Sequence, residues 1–362
     1  MLVQTEFPND LLPLLRCSQD GGALSASELR NGAAGVIDAR LTCQTCAAEF
    51  RIRDGIALMM AGRQSEEDKF EMAYRDSQHE AAPFAPFVAP AAGWRSKYND
   101  LLEIPPHLKE LEPAGCKVLE FGCGDGRITI LVAQSGAKVL AVDFSIGSLR
   151  KLAAQLPAGI APTTYRPGYP LEGRDLRGQV GLVQADASSF HVAPRSFDRA
   201  LSTTPLDSIY QRMAMYRTIA DALTDEGRYI GSVEHDDLTR RILGLPVARR
   251  YWSGIFIEHF DVKGYRRETA PFFGKTRIYP MRPRVPFLRQ LPARLALAIA
   301  NLVMALPILK NFGEILLLRA EQPIRPPVEG INRPGIRLAK RFFYWYMRRL
   351  GKEPLWDSSE KV

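Results

Sequence analysis

Three glycines at alternating positions are the residues best suited to approach a charged ligand closely. Gly122, Gly124 and Gly126 follow the strand-forming run 117–121 and precede an apolar stretch that begins at Ile128. Glycine lets the backbone turn sharply and approach a ligand without a Cβ in the way. A strand, a glycine-rich turn and a helix N-terminus form the nucleotide-binding corner of a doubly wound α/β sheet. The spacing matches neither the full dinucleotide fingerprint nor a P-loop.

Polar residues at the ends of the next strands would complete such a site. Further strands are predicted at 138–142, 181–184 and 197–201. Asp143 ends the first of these, where a carboxylate can accept hydrogen bonds from both ribose hydroxyls of an adenosine. Asp186 and Ala187 follow the second, where an adenine would lie, and Ser202 follows the third. NAD enzymes use an acid in the same way, so Asp143 alone does not identify the nucleotide.

Four motifs in this order resemble those of class I S-adenosylmethionine-dependent methyltransferases. They are E-x-G-C-G-x-G at 120–126, V-D-x-S at 142–145, A-D-A at 185–187 and F-D-x-x-x-S at 197–202. The resemblance covers about residues 111–323 and implies an α/β fold, a Rossmann-like seven-stranded sheet with helices on both faces. The alternative, glycines that only tighten a Rossmann-like turn, does not account for all four motifs.

The resemblance also implies S-adenosylmethionine as cofactor, with no second cofactor indicated. The residues that it assigns to the cofactor site are Glu120, Gly122, Cys123, Gly124, Gly126, Asp143, Phe144, Asp186, Ala187 and Ser202. The glycines would line the methionine moiety, and Glu120 would bond its amino-acid end directly or through water. Asp143 would bind the ribose, and Asp186 with Ala187 would border the adenine.

A second group of ligand-forming side chains lies near the N-terminus. Cys43 and Cys46 form a C-x-x-C pair, and Cys17 with Asp20 forms a C-x-x-D pair. Two-residue spacing lets both side chains of a pair face one tetrahedral ion, so the four could hold structural zinc. With the ending F-R-I-R-D-G-I-A-L-M at 50–59, the segment resembles the small zinc-ribbon partner of tRNA and protein methyltransferases. A zinc-ribbon-like β domain is therefore expected at residues 1–61; a ribbon that has lost its metal is the alternative.

The densest polar cluster at a strand end follows the fifth predicted strand, 229–233. It contains Glu234 and His235, then Asp236 and Asp237. Imidazole titrates near neutral pH, so His235 is a candidate general base for a hydroxyl or ring acceptor, with Glu234 as a second candidate. Alternatively, the aspartates only cap the next helix. Positioning can largely drive methyl transfer, and an acceptor that is already nucleophilic needs no base.

Residues 62–110 are predicted to be a linker followed by capping helices. The stretch is polar and then rich in proline and alanine, and a helix is expected at 94–102, ending before Pro105 and Pro106. Helices at this place often cap the active site in the resembling family. The candidate residues of the substrate pocket are Tyr74, Trp94 and Tyr98. Aromatic packing against the core domain is the alternative.

The last third of the chain carries the apolar and basic segments. An insertion at about 246–312 is predicted within the methyltransferase domain, before a last strand that starts at Gly313. Its stretch 291–309 is nearly all apolar but too short for a confident membrane span, and is expected to form a substrate lid. The tail, 324–362, is predicted to form a basic amphipathic helix, with Phe342 and Trp345 on its apolar face. Such a helix could dock onto the core of the protein, bind an anionic membrane surface or bind RNA.

Composition limits the compartment and the partners. The chain has 362 residues, enough for about two domains, and a net charge of +8, which favours anionic partners. Its five cysteines are an odd set, with one in the glycine loop, and there is no signal-peptide pattern. A reducing, cytoplasmic location is expected, with peripheral contact at the inner membrane face as a further expectation.

These patterns together predict a methyltransferase of EC class 2.1.1. Because the variable segments are apolar and aromatic, a small or lipid-like metabolite is the expected substrate. An RNA nucleobase methyltransferase is the alternative, since ribosomal RNA guanine methyltransferases also carry an N-terminal zinc ribbon. The amino-directed motif Asn-Pro-Pro-Tyr is missing, because Thr203–Leu206 stands there. A non-catalytic S-adenosylmethionine-binding subunit is a third hypothesis. The acceptor atom and the oligomeric state stay open.

Overall fold

Most strands of the chain join one sheet. The computed structural model describes residues 5–61, 69, 72–73, 76, 98–159, 173–203, 212–244, 248–250, 256–283, 285, 288–307 and 309–325. The strands in these ranges are β1 (Leu15–Arg16), β2 (Leu24–Asn31), β3 (Val36–Cys43), β4 (Glu49–Arg53), β5 (Ile56–Leu58), β6 (Lys117–Phe121), β7 (Lys138–Asp143), β8 (Val180–Gln184), β9 (His191–Val192), β10 (Phe197–Thr203), β11 (Leu223–Glu234), β12 (Ala248–Arg250), β13 (Phe256–Glu258), β14 (Phe273–Pro283) and β15 (Gly313–Pro323). The helices are α1 (Tyr98–Leu111), α2 (Thr129–Gln134), α3 (Ile146–Gln155), α4 (Arg212–Ala222), α5 (Leu238–Ile242), α6 (Val262–Thr269) and α7 (Ala293–Ala305), with 3-10 turns at Leu12–Leu14, Leu288–Gln290 and Leu309–Phe312.

The sheet contains the predicted Rossmann-like core. Seven neighbouring strands have the order β8-β7-β6-β10-β11-β15-β14. The pairings from β8 to β11 are parallel, and β15 is antiparallel to both of its neighbours. The predicted α/β class, the mostly parallel seven-stranded core and the last strand from Gly313 are therefore confirmed.

The N-terminal β region continues this sheet rather than standing apart from it. Ile56 of β5 lies opposite Leu182 of β8 in a parallel pairing, and β4, β3 and β2 follow outward. Within the described residues the sheet thus has eleven strands. Pairing satisfies the backbone groups that β8 would otherwise expose at an edge. The division into domains at residue 61 stays a prediction, although strands from both sides share the sheet.

Alternation of buried side chains explains why the central strands are almost wholly apolar. On β6, Leu119 packs in the core on one face of the sheet and Val118 in the core on the other. On β7, Leu140 and Val139 divide in the same way. Parallel strands that are covered on both faces of the sheet have continuous apolar sequences, because the side chains on both faces are buried.

The predicted end of the helix expected at 94–102 was wrong. Helix α1 continues through Pro105 and Pro106 to Leu111, although proline lacks the amide donor and disfavours the preceding turn. Pro105 lies on the exposed side, whereas Ile104 and Leu111 are buried. Burial of that apolar face outweighs the local cost of the prolines.

Within the described residues, α7 is the α-helix between β14 and β15, and the insertion at about 246–312 stays a prediction. No helix in the described part of the chain is long and apolar enough to cross a membrane. Tyr74, Trp94 and the predicted tail helix lie outside the described residues.

Candidate active site and metal centre

The glycine loop has the backbone geometry that its sequence predicts. Gly122, Gly124 and Gly126 have φ values of 70°, 55° and 90°, in the left-handed region where a Cβ is disfavoured. A Cβ on Gly126 would collide with the side chain of Leu152, so this glycine serves packing. A Cβ on Gly124 would meet no described atom within 4 Å. Space for a ligand therefore lies beside Gly124.

Asp143, at the end of β7, holds the loop in place. Its Oδ2 accepts a hydrogen bond from the Gly124 amide at 2.9 Å, and its Oδ1 accepts one from the Ser145 amide at 2.9 Å. The residue is 8% exposed. An ionised carboxylate offers about four acceptor positions, so two backbone bonds are compatible with further bonds from ribose hydroxyls.

Glu120, at the end of β6, is a buried carboxyl group with an orphaned oxygen. It is 1% exposed, and its Oε2 has no hydrogen-bond partner among the described residues. Burial raises the pKa of Glu120 to about 7, and the nearby negative charge of Asp143 adds to the shift. A buried polar atom without a partner is costly, so a cationic group that binds there is stabilised. The open space beside Gly124 and this oxygen both fit the methionine end of S-adenosylmethionine.

The other predicted cofactor residues lie around the same strand ends. Asp186 accepts hydrogen bonds from the amide and the hydroxyl of Ser188, which fixes the turn that also holds Ala187. The Phe144 carbonyl accepts a hydrogen bond from the Gln184 side chain at 3.2 Å. Cys123 is buried directly after Gly122.

Ser202 is positioned by Tyr229, a residue that no sequence motif singles out. Its hydroxyl lies 2.6 Å from the Tyr229 hydroxyl, and the serine is fully buried. The structure therefore places this side chain in the core of the sheet rather than on an open surface. Its contribution to the cofactor site would be through the backbone at the end of β10.

Asp76 is a further residue that sequence reasoning missed. Its Oδ1 accepts hydrogen bonds from the Ser145 hydroxyl at 2.5 Å and the Gly147 amide at 3.1 Å. It therefore lies at the start of α3, beside the strand end that carries Asp143. An acidic residue in a polar linker gives no signal of such a position.

Partly buried ion pairs join α1 to the glycine loop. Arg127, next to Gly126, pairs with Asp100 at 2.7 Å and with Glu103 at 3.2 Å. Tyr98 is the first residue of α1, so the helix start that carries this predicted pocket residue lies beside the cofactor loop.

Arg282 links those pairs to the end of β11. Its guanidinium lies 3.2 Å from Glu103, 2.9 Å from Glu314 and 3.9 Å from Glu234. Its φ of 56° is left-handed, a conformation that costs about 1–2 kcal/mol for a residue with a side chain. The predicted catalytic candidate Glu234 is thus an ion-pair partner of Arg282.

His235 lines a cavity of about 410 Å³ at the end of β11. Its Nδ1 donates to the Gly313 carbonyl at 2.6 Å, because a carbonyl can only accept, and this leaves Nε2 as the basic nitrogen. Burial lowers the pKa of His235, which favours the neutral ring at pH 7. Asp237 caps α5 by accepting from the amides of Thr239 and Arg240. Asp237 is thus engaged as a helix cap, and His235 stays the candidate base.

The four predicted metal ligands lie together. The candidate ligand atoms of Cys17, Asp20, Cys43 and Cys46 are all within 4.8 Å of one another. The Cys17 and Cys46 sulfurs are 3.6 Å apart, and the Cys43 sulfur is 3.4 Å from Asp20 Oδ1. A zinc ion with Zn–S bonds of about 2.3 Å needs sulfur separations of about 3.8 Å. A hydrogen bond from the Gly22 amide lowers the pKa of Asp20 to about 2, so the carboxylate is ionised for ligation. The set fits a closed, structural zinc site.

Comparisons with known proteins gave one family match and several similar structures. Residues 119–231 match the model of the methyltransferase domain family. An S-adenosylmethionine dependent methyltransferase from Mesorhizobium loti is 20% identical, with 60% of this chain and 95% of that chain covered and a TM-score of 0.39. Phosphoethanolamine N-methyltransferase 2 from Haemonchus contortus, solved with S-adenosyl-L-methionine, is 17% identical, with 73% and 61% covered and a TM-score of 0.43. The 1,6-didemethyltoxoflavin-N1-methyltransferase of Burkholderia thailandensis is 16% identical, with 77% and 97% covered and a TM-score of 0.43. No curated protein matches the chain.

The matched segment runs from within β6 to within β11 and contains the glycine loop and the acidic end of β7. Residues 119–231 are therefore identified as a methyltransferase domain.

Proposed function

We propose that the chain transfers a methyl group from S-adenosylmethionine to a small or lipid-like acceptor in the His235 cavity. The observation that carries this proposal is that the glycine loop and the cavity lie at one edge of the sheet. Strands β6, β7, β10 and β11 are parallel, so their carboxyl ends lie on the same side. Ligands of doubly wound sheets bind at that edge.

The cofactor would be held by residues of three strand ends. Gly124 leaves room for the methionine moiety, Glu120 would receive its ammonium group, and Asp143 would accept from the ribose. Asp186 and Ala187 would border the adenine. When bound, S-adenosylmethionine supplies a methyl group on a positively charged sulfur.

The chain's own contribution to the reaction would be positioning and proton removal. His235 would accept the acceptor's proton at Nε2, while the Gly313 carbonyl holds the ring through Nδ1. Glu234 would stay ionised beside Arg282 and fix the end of β11. General bases placed in this way contribute typically about 10²–10⁴-fold to the rate.

The cavity favours a small or amphiphilic acceptor. Its volume of about 410 Å³ suits a compact molecule, since small-molecule pockets span about 300–1,000 Å³. Leu238 and Val262 give it apolar walls, while Asp236 and Lys263 supply polar groups. This mixture supports a metabolite with an apolar part over a flat nucleobase on RNA.

A methyl-transfer assay would test this function. The full chain would be incubated with methyl-labelled S-adenosylmethionine and, separately, a bacterial lipid extract, a small-molecule extract and total RNA. We expect label in one of the first two fractions, and its loss with the variant Asp143→Ala. Label in RNA alone would support the nucleobase alternative, and cofactor binding without transfer to any fraction would support a non-catalytic subunit.

The metal-ligand cluster is proposed to hold a structural zinc ion. Four protein ligands would complete the tetrahedron and leave no position for substrate. Burial raises the pKa of the Cys17 thiol to about 12, so zinc would have to displace a proton on binding. The site's role would therefore be to stabilise the N-terminal β region.

A further inference from the structure

Large apolar side chains are exposed mainly in one region of the protein. Among the described residues eight large hydrophobic side chains are exposed, and six of them belong to three neighbouring elements. They are Ile242 and Leu243 at the end of α5, Leu295, Leu302 and Leu306 on α7 and its C-cap, and Leu309 in the turn Leu309–Phe312. Single exposed hydrophobics are ordinary, but a concentration of this kind marks an interaction surface.

Helix α7 exposes two of its leucines to solvent. Its buried positions are Ala296 and Ala300, which pack with Leu102 and Leu288. Its larger residues Leu295 and Leu302 point outward, with exposures of 49% and 62%. They are seven residues apart, and Leu306 follows after four more, so the three lie on one stripe. Leu297 and Ile299 pack against the same buried cluster, so the apolar residues of α7 are divided between the core and the exposed stripe.

The three elements form one surface, which we call the docking face. Both α5 and α7 contact the turn Leu309–Phe312. Leu238 and Arg241 of α5 and Asn311 of the turn also line the His235 cavity. The cavity therefore lies at the border of the docking face.

The exposed charges on the elements of the docking face are cationic. Helices α5 and α7 and the turn carry Arg241, Arg294 and Lys310 at the surface and contain no aspartate or glutamate, whereas Arg240 of α5 is buried. Arg294 and Lys310 are exposed. At the edge of the face, Asp236 pairs with Arg240 at 3.7 Å and with Arg241 at 3.1 Å, and Asp261 lies 4.0 Å from Arg241, so the attraction to anions rests on Arg294 and Lys310. An apolar stripe flanked by cations suits the headgroup region of an anionic bilayer.

We propose that the docking face binds an anionic lipid bilayer, with its leucines and Ile242 below the headgroups and its cations at the phosphates. Membrane binding itself does not depend on the enzymatic reaction. A consequence that rests on the proposed function is that the cavity opens at the bilayer, from which an amphiphilic acceptor enters.

Vesicle co-sedimentation of the full chain tests the proposal. Vesicles of phosphatidylcholine and phosphatidylglycerol in equal parts would be compared with phosphatidylcholine alone. We expect binding to the mixed vesicles, a loss of about tenfold or more with the double variant Ile242→Gln/Leu302→Gln, and a loss of about fivefold for each cation removed by Arg294→Gln or Lys310→Gln. The matched control is Leu29→Gln, since Leu29 is 49% exposed on β2, outside the docking face. This control should bind like the wild type.

Three results would overturn the proposal. The first is a wild type that does not bind the mixed vesicles. The second is a double variant that binds them as tightly as the wild type does. The second result would also count if only a chain truncated after Arg325 lost binding, because the residues after Arg325 would then carry the membrane contact. The third is a dimer that the double variant dissociates, which would make a second copy the occupant. Calorimetry with S-adenosylmethionine distinguishes a failure of the membrane proposal from a failure of the proposed function, because the double variant should bind the cofactor with the affinity of the wild type. A wild type that binds vesicles but no cofactor would refute only the proposed function.

Discussion

Replacing Glu120 with glutamine should remove a buried negative charge that lowers the unfolding free energy of the cofactor-free protein. Glu120 is 1% exposed, and its Oε2 has no hydrogen-bond partner among the residues that the structure describes. Burial raises its pKa from the ordinary 4.5 to about 7. Above pH 7 the folded chain therefore holds an ionised carboxylate that water no longer solvates.

The size and direction of the effect follow from the two pKa values. Because the folded-state pKa is the higher one, this group's contribution to stability is fully present below pH 4.5 and is lost as the pH rises through about 7. At about 1.4 kcal/mol per pKa unit, the loss is about 3 kcal/mol. Glutamine does not titrate. The unfolding free energy of Glu120→Gln relative to that of wild type should therefore increase progressively between about pH 4.5 and about pH 8, by about 3 kcal/mol in total.

Urea unfolding followed by circular dichroism across this pH range would measure the gain. The matched control is Glu49→Gln on β4, where the side chain of Glu49 is 54% exposed. Its unfolding free energy should stay within about 0.5 kcal/mol of wild type. In calorimetry, Glu120→Gln should bind S-adenosylmethionine about tenfold more weakly near neutral pH, because it loses a charge-assisted hydrogen bond to the ammonium group.

Two results would refute this reasoning. If the stability difference between Glu120→Gln and wild type is the same at every pH, Glu120 does not titrate as a buried group. If the variant binds S-adenosylmethionine as tightly as wild type, Glu120 does not contact the amino-acid end of the cofactor.

Three other predictions concern the metal, the ion pairs and the base. Elemental analysis should find about one zinc per chain, lost in Cys43→Ser and kept in the control Cys116→Ser; a folded, zinc-free wild type would contradict the site. Arg282→Met should cost about 1.5–3 kcal/mol of unfolding free energy, because buried Glu103 loses one charge-assisted hydrogen bond while it keeps Arg127, whereas Arg177→Met at an exposed pair should cost under about 1 kcal/mol. His235→Gln should slow methyl transfer about 10²–10⁴-fold while leaving cofactor affinity unchanged, and an unchanged rate would mean that the acceptor needs no base.

The sequence was sufficient for features that depend on local pattern. The strand, glycine turn and helix around Gly122–Gly126 are encoded within one short stretch, because each residue's conformational preference acts on its immediate neighbours. The buried strands β6 and β7 could be predicted for the same reason, because each is a continuous apolar run in the sequence. The two ligand pairs, Cys17 with Asp20 and Cys43 with Cys46, were predictable from two-residue spacing, and the resemblance to a zinc ribbon implied that they meet.

Features that depend on distant residues were not predictable in this way. Arg282 meets Glu103 across 179 positions of the chain, and neither residue carries a signal of the other. The parallel pairing of β5 with β8 also joins distant segments, and the apolar pattern of β5 does not specify its partner. Helix α1 passes Pro105 and Pro106 because tertiary burial outweighs local propensity, which a single-sequence pattern does not measure.

Calorimetric titration of the full chain with S-adenosylmethionine tests the central claim most directly. Wild type should bind about one equivalent, and Asp143→Ala should bind about tenfold to a hundredfold more weakly, at about 1.5–3 kcal/mol per lost charge-assisted hydrogen bond. A folded wild type that takes up no S-adenosylmethionine, or an Asp143→Ala variant with undiminished affinity, would contradict the cofactor site described for the ends of β6 and β7.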